Sequence, residues 1–213
     1  MGRATGSSRR QLSLGSIQPI RAILDARFGA REKAITGSRK AIRASANGIR
    51  ALHRREWDDA EELISEAGTI LTSILEALQD HPELVHAGFV ADAAKEYAEA
   101  RITQAVFTDA EIPDFTDLGI DPVPYLHGLG EAVGEMRRRM LDLLRDEKLE
   151  EAEATLEEMD DIVDLLATVD YPDGMTNSLR RTTDVSRSLV ERSRSDLTAT
   201  VVQERLRQDL RDS

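Results

Sequence analysis

Apolar residues recur along this chain at steps of three and four, and no stretch alternates in the manner of a strand. From about Ile17 to Arg54, the spacing of Ile20, Ile23, Leu24, Phe28, Ile35, Ile42, Ile49 and Leu52 predicts one long helix. A second is predicted from Trp57 to about Leu78, with Asp58, Asp59, Glu61 and Glu62 near its start, where the helix dipole favours acids. Its buried stripe is Leu63, Ile64, Ile70, Leu71, Ile74, Leu75 and Leu78. A third covers roughly Pro82 to Asp109; it is alanine-rich and, one acid stripe apart, weakly charged nearly all round, which suits a central position. Pro113, Pro122 and Pro124 forbid continuous helix through the next segment, which reads as a loop. A fourth helix runs from near Pro122 to Arg145. A fifth runs from Lys148 to Val169, acidic outside and apolar inside at Leu149, Ala152, Leu156, Met159, Ile162, Val163 and Leu166. After a turn at Tyr171-Pro-Asp-Gly, a last helical pattern extends from about Met175 to Leu210, continuous or broken once midway. The prediction is an all-α bundle with mostly short connections and no β-sheet. Residues 1–15, rich in Gly, Ser and Arg without periodicity, read as a mobile basic tail, and 16–213 as a single all-α domain.

Composition narrows the classes. A chain of 213 residues, 40% hydrophobic and 32% charged, is long enough for one well-cored domain. It has no Cys, so disulfides, thiolate metal sites and Cys nucleophiles are excluded. No apolar run approaches the ~20 residues of a membrane span. Arg3, Arg9 and Arg10 are followed by no apolar segment, so no secretory signal and a cytoplasmic location are expected. Net charge is −12, but it is segregated: +11 over residues 1–55, −24 over 56–170 and +1 over 171–213. A polyanion partner is therefore compatible with an acidic total. Of 28 basic residues 24 are Arg and only 4 are Lys, a balance that suits a high-salt cytoplasm. There counterion release weakens, and Arg forks, stacking and metal-bridged contacts carry more of the affinity.

The candidate chemistry lies on the third and fourth helices. Asp92, Glu96 and Glu99 share one stripe at i, i+4 and i+7, with Val85 and Phe89 before them and Val106 and Phe107 after. Like charges this close repel, so either an arginine or a divalent cation should face them. On the fourth helix, Glu131 and Glu135 sit at i and i+4, with His127, Gly128 and Gly134 on the same stripe; the glycines permit close helix approach. Two helices presenting carboxylates inward can build a divalent site, and all-oxygen ligation favours Mg2+ or Mn2+. With 40 acids in the chain, such pairs also arise freely as salt-bridged surface. The two Glu-x-x-His motifs of a di-iron bundle, Walker loops and G-x-S-x-G are not found, and the four histidines show no shared ligand spacing. His127, one turn before Glu131, either orients it or is a plain surface or interface histidine. Arg39, Arg43, Arg50 and Arg54 share a face of the first helix with almost no acids to neutralise them, which makes polyanion contact as good a reading as a solvated face. Arg180, Arg187 and Arg194 form a second stripe about 20 Å long, with Arg181 beside it and Asp184 and Glu191 available for self-pairing.

The order of motifs resembles the translin family. It runs through Arg31-Glu, Ser38-Arg, Ile42-Arg, Ile49-Arg and His53-Arg, then Gly88-Phe and Glu96-Tyr-Ala-Glu-Ala100. It continues with Leu118-Gly-Ile, Tyr125-Leu-His-Gly, Gly134-Glu, Tyr171-Pro and Asp184-Val, spanning roughly residues 28–197. The resemblance implies a seven-helix α-α superhelical subunit, assembly into a hollow octamer, and binding of single-stranded RNA or DNA on its inner surface. One subunit type of that family binds nucleic acid; the other carries an acidic Mg2+-dependent endoribonuclease site. Its signature is similar to Glu96-Tyr-x-Glu99-Ala and to an acid followed by Gly134-Glu135. Glu131 stands where Asp is expected, its carboxylate about one methylene farther out. By this resemblance Glu96, Glu99, Glu131 and Glu135 are the catalytic and metal-holding residues. Arg39, Arg43, Arg50, Arg54, His86, Arg180, Arg181, Arg187 and Arg194 are candidates for nucleic-acid contact. The expected function is a Mg2+-dependent (or Mn2+-dependent) endoribonuclease on single-stranded RNA, working as a homo-oligomer. The alternatives are a non-catalytic single-strand-binding assembly, and a helical-bundle interaction protein without a nucleic-acid role.

Overall fold

The computed structural model describes residues 17–211; the basic tail expected over residues 1–15 lies outside them. Six long helices and two single-turn helices make up the regular structure, with no strand among the described residues. They are α1 (Gln18–His53), α2 (Trp57–Ala77), α3 (Pro82–Val85), α4 (Gly88–Phe107), α5 (Pro122–Arg145), α6 (Leu149–Ala167), α7 (Asp173–Thr176) and α8 (Leu179–Arg211). The all-α architecture anticipated from the periodicity is the one observed.

Helix α1 folds back on α2, and both pack on α4. Helix α4 in turn packs on α5, while α6 and α8 cover the far side of α5. One apolar cluster runs through all six long helices, from Leu52 and Ile64 through Ile102 and Met136 to Leu166 and Val190. Burying each such side chain is worth roughly 1.5–3 kcal/mol, so the two middle helices are held from both sides. Helix α4 buries Val90, Ala93, Tyr97, Ala98, Ala100, Ile102, Val106 and Phe107, residues pointing in nearly every direction, as its central position requires.

Two predicted helices are broken where no break was expected. The third does not run from Pro82 to Asp109: it divides into α3 and α4 at Ala87, whose φ −69° and ψ 142° are extended. The last does not start at Met175 and does not break midway. Asn177 and Ser178 adopt positive φ (50° and 63°), which separates a first turn, α7, from an unbroken 33-residue α8. The loop after α4 follows expectation. Asp114 accepts from Thr116 N (2.7 Å) and Asp117 N (2.9 Å), and Gly119 turns with φ 65°. Asp121 then caps α5 by accepting from Val123 N at 2.9 Å, with Pro122 in the first turn.

The N-terminal half of α1 stands clear of this core. Ile20, Ile23, Leu24 and Phe28 are 53–63% exposed, a row of apolar residues at helical spacing that no other described residue covers.

Candidate functional site

Helices α4 and α5 cross closely at one point, and a glycine makes the crossing possible. A Cβ on Gly128 would lie 2.7 Å from Ala98 Cβ, 2.8 Å from the Lys95 carbonyl oxygen and 2.9 Å from Glu99 N. Only a residue without a side chain fits there. Gly134 does not share this role: a Cβ on it would meet nothing nearer than Leu189 Cδ1, at 3.9 Å on α8.

One turn beyond Gly128, Glu131 comes level with Glu96 and Glu99 of α4. One carboxylate oxygen from each lies within 4.8 Å of the others, and all three side chains are half-buried. Glu99 receives no hydrogen bond from the described residues. Its carboxyl is pushed up to about 8, first by burial and then by the charges of Glu96, Glu131 and Glu135, with Lys95 partly offsetting them. An acid in this state keeps its proton near neutral pH unless a cation joins it.

A protein cation already touches part of the cluster. Lys95 Nζ donates to Glu131 Oε1 at 2.8 Å, is in ion-pair contact with Glu131 Oε2 at 2.7 Å and lies 3.3 Å from Glu96 Oε1. Burial pulls this ammonium down, but the Glu131 hydrogen bond and the charges of Glu131 and Glu96 overcome it and leave it above the ordinary lysine value. The counter-charge sought from sequence was an arginine from elsewhere or a metal ion. A lysine on the acids' own helix supplies part of it. Its signal was its position, directly before Glu96 and four residues before Glu99, so that its long stem could reach either acid.

Glu135 stands apart from the trio. His53, in the last turn of α1, places Nε2 2.5 Å from Glu135 Oε2, so that ring nitrogen donates. The hydrogen bond from His53, opposed by burial and aided by the His53 and Arg138 charges, holds the Glu135 carboxyl below the usual range. His53 in turn packs edge-on against Phe107, with ring centroids 5.1 Å apart. Treating the four histidines as scattered missed this partnership, which needs α1 and α5 side by side. His127 does not orient Glu131. It is buried and turned the other way, with Nε2–H donating to the Thr176 carbonyl (2.9 Å) and Nδ1 accepting from Thr182 Oγ1 (2.8 Å). Asp92, on the same stripe as Glu96, is exposed and outside the cluster.

The basic candidates separate into free and engaged. Arg39 and Arg43 are exposed on α1 with no hydrogen-bond or ion-pair partner among the described residues. Farther along, Arg50 donates to Asn47 (2.6 Å) and Arg54 to Glu56 (2.8 Å), both at the surface. This row ends beside His53, and therefore beside Glu135. On α8, Arg180 pairs with Asp170 at 3.3 Å and Arg194 with Asp160 at 2.5 Å, while Arg181 and Arg187 are exposed with no partner among the described residues. The self-pairing with Asp184 and Glu191 considered from spacing is not what occurs; α6 and the α6–α7 link supply the acids instead. His86 is exposed at the break between α3 and α4.

No protein-family model matches the chain. The uncharacterized protein MJ0175 of Methanocaldococcus jannaschii is 31% identical over 184 residues, which cover 85% of this chain and 81% of that one. The crystal structure of AfC3PO superposes with a TM-score of 0.81 at 28% identity, over 88% of this chain and 98% of the other. The structure of AfC3PO in complex with duplex RNA gives 0.77 at 29% identity, over 88% and 97%. Apo-NeC3PO gives 0.80 at 18% identity, over 89% and 100%, a likeness of fold. No described helix is long and apolar enough to cross a membrane.

Proposed function

This chain belongs to the translin family, of which the C3PO structures are members, and from that premise we propose that it is a metal-dependent endoribonuclease acting on single-stranded RNA. One observation carries the reading: three carboxylates from two helices converge within 4.8 Å around Glu99, an acid without a hydrogen-bonding partner among the described residues and pushed up to about 8. A structural salt-bridge network would have matched each acid with its own cation.

The donor set fits a hard divalent cation, since all its atoms are carboxylate oxygens. Glu96, Glu99 and Glu131 would hold Mg2+ or Mn2+, which when bound neutralises charge on a scissile phosphate and makes a water more acidic. Glu135 is kept ionised by the His53 N–H, so as a hydrogen-bond acceptor it is suited to position an attacking water. Glu131 in place of the expected Asp reaches its partners because Gly128 brings α5 close. The free Arg39 and Arg43, with Arg50 and Arg54 beyond them, would hold the flanking strand along α1, whose last turn delivers it to Glu135. AfC3PO has been captured with duplex RNA, which supports RNA as the ligand class here; single-stranded DNA is a second ligand by family resemblance. The uncovered apolar row of α1 supports assembly of several copies, an octamer by family resemblance.

The test is direct. Labelled single-stranded RNA incubated with purified protein should be cleaved with Mg2+ or Mn2+. It should survive with EDTA, and survive with Glu99→Ala while still being bound. Binding without cleavage in every divalent cation would leave a strand-holding assembly. Lys95 favours that second reading, because Glu131 and Glu96 already share its ammonium. A protein that neither binds nor cleaves would be an interaction module.

A further inference from the structure

Lys95 holds two of the three carboxylates that would hold a hard cation. Its ammonium contacts both oxygens of Glu131 at 2.7–2.8 Å and one of Glu96 at 3.3 Å, two of the three converging carboxylates. A divalent ion held by the same oxygens would sit about 2.0–2.1 Å from them if Mg2+. An ammonium and such an ion therefore compete for Glu131 in space as well as in charge. The backbone of Lys95 is held in place, because its carbonyl lies beneath Gly128, where even one added carbon would come within 2.8 Å. The ammonium end is not anchored: four rotatable bonds carry it, and the side chain is 23% exposed, so a path to solvent exists.

We propose that Lys95 is a displaceable internal cation, which holds Glu96 and Glu131 together in the metal-free protein and is expelled from them when a divalent cation enters. The inference rests on the metal-dependent reading above. Lys95 is in this sense a positioning residue. It keeps α4 and α5 from being pushed apart by their own acids, and it sets how much divalent cation is needed to load the site. A lysine does this better than an arginine, whose planar fork would bind the carboxylates in a fixed bidentate geometry and release them less readily.

Mn2+ binding to the intact protein, followed by calorimetry, tests it. Lys95→Met should bind Mn2+ about tenfold or more tightly, since the competing charge is gone. Lys95→Arg should bind no more tightly than the wild type. Wild-type binding with Lys95→Met within twofold of it, or weaker, would overturn the inference and leave the metal site standing. No Mn2+ binding by any of the three proteins would remove the metal site itself, and the inference with it. A measurement on the wild type guards against misfolding of the variants. Brief acylation of amines, with peptide mapping of Lys33, Lys40, Lys95 and Lys148, should show Lys95 becoming several-fold more reactive relative to the other three on adding Mn2+. Unchanged or reduced labelling of Lys95 under saturating Mn2+ would equally overturn it.

Discussion

Glu99 is the residue on which stability and chemistry meet. Its folded pKa of about 8 lies above the unfolded value of 4.5, so the folded state keeps a proton that the unfolded state gives up. Its contribution is fully present below pH 4.5 and is lost as pH rises through about 8. The metal-free protein should therefore lose stability across that window, by at most about 1.4 kcal/mol per pH unit from this group. Denaturant titrations at several pH values should show a shallower dependence in Glu99→Gln. Divalent cation should restore the wild type most at the alkaline end, where the carboxylate is free of its proton. His127 offers a contrast, since its two hydrogen bonds run to Thr182 and the Thr176 carbonyl, away from the acids. His127→Ala leaves those groups unpaired in a buried place and should cost about 1–3 kcal/mol by thermal or chemical denaturation, with Mn2+ affinity unchanged.

At the scale of elements, the site exists because α4 and α5 touch, and the contact depends on a single missing side chain. Gly128→Ala would drive a carbon to 2.7–2.9 Å from Ala98, the Lys95 carbonyl and the Glu99 amide, two of them backbone atoms that cannot swing aside. The helices must separate, so a loss of about 1–3 kcal/mol is expected, along with weaker Mn2+ binding as Glu131 withdraws from Glu96 and Glu99. Gly134→Ala is the control. Its Cβ would make an ordinary 3.9 Å contact with Leu189, and replacing a mid-helix glycine by alanine should gain roughly 0.5–1 kcal/mol. The break at Ala87 shows why one boundary was missed. Leu84-Val85-His86-Ala87-Gly88 contains no proline and no Ser, Thr, Asp or Asn to cap a helix start. At the other break Asn177 was a readable signal, because asparagine tolerates the left-handed backbone it adopts there.

Across the whole molecule, charge and apolar surface each point outward to a partner. Replacing both Arg39 and Arg43 by alanine should weaken RNA binding and lower the salt slope by about 0.7 for each phosphate contact removed. Arg194→Ala should change it little, because that guanidinium is engaged by Asp160. Filter binding at two or more salt concentrations separates the two outcomes. Placing a charge in the exposed row of α1, as in Phe28→Glu, removes no core contact from a side chain 63% exposed. Light scattering should then report a smaller assembly with helical content unchanged.

The sequence by itself determined the six long helices, because a period of three to four with apolar stripes has one inexpensive solution in water. It also determined the residue types at the site: Glu96, Glu99, Glu131 and Glu135 stood out by spacing, and the family by the order of its motifs. The tertiary structure alone decided which acids meet and what they meet. Helical spacing places Asp92 on the stripe of Glu96 and Glu135 on the stripe of Glu131. Yet Asp92 is left in solvent and Glu135 is taken by His53, from a helix 82 positions away in sequence. Lys95 was visible as a letter, but its grip on Glu131 depends on how near α5 approaches, which Gly128 sets. Periodicity describes one helix at a time, whereas a cluster of like charges is a property of the space between two.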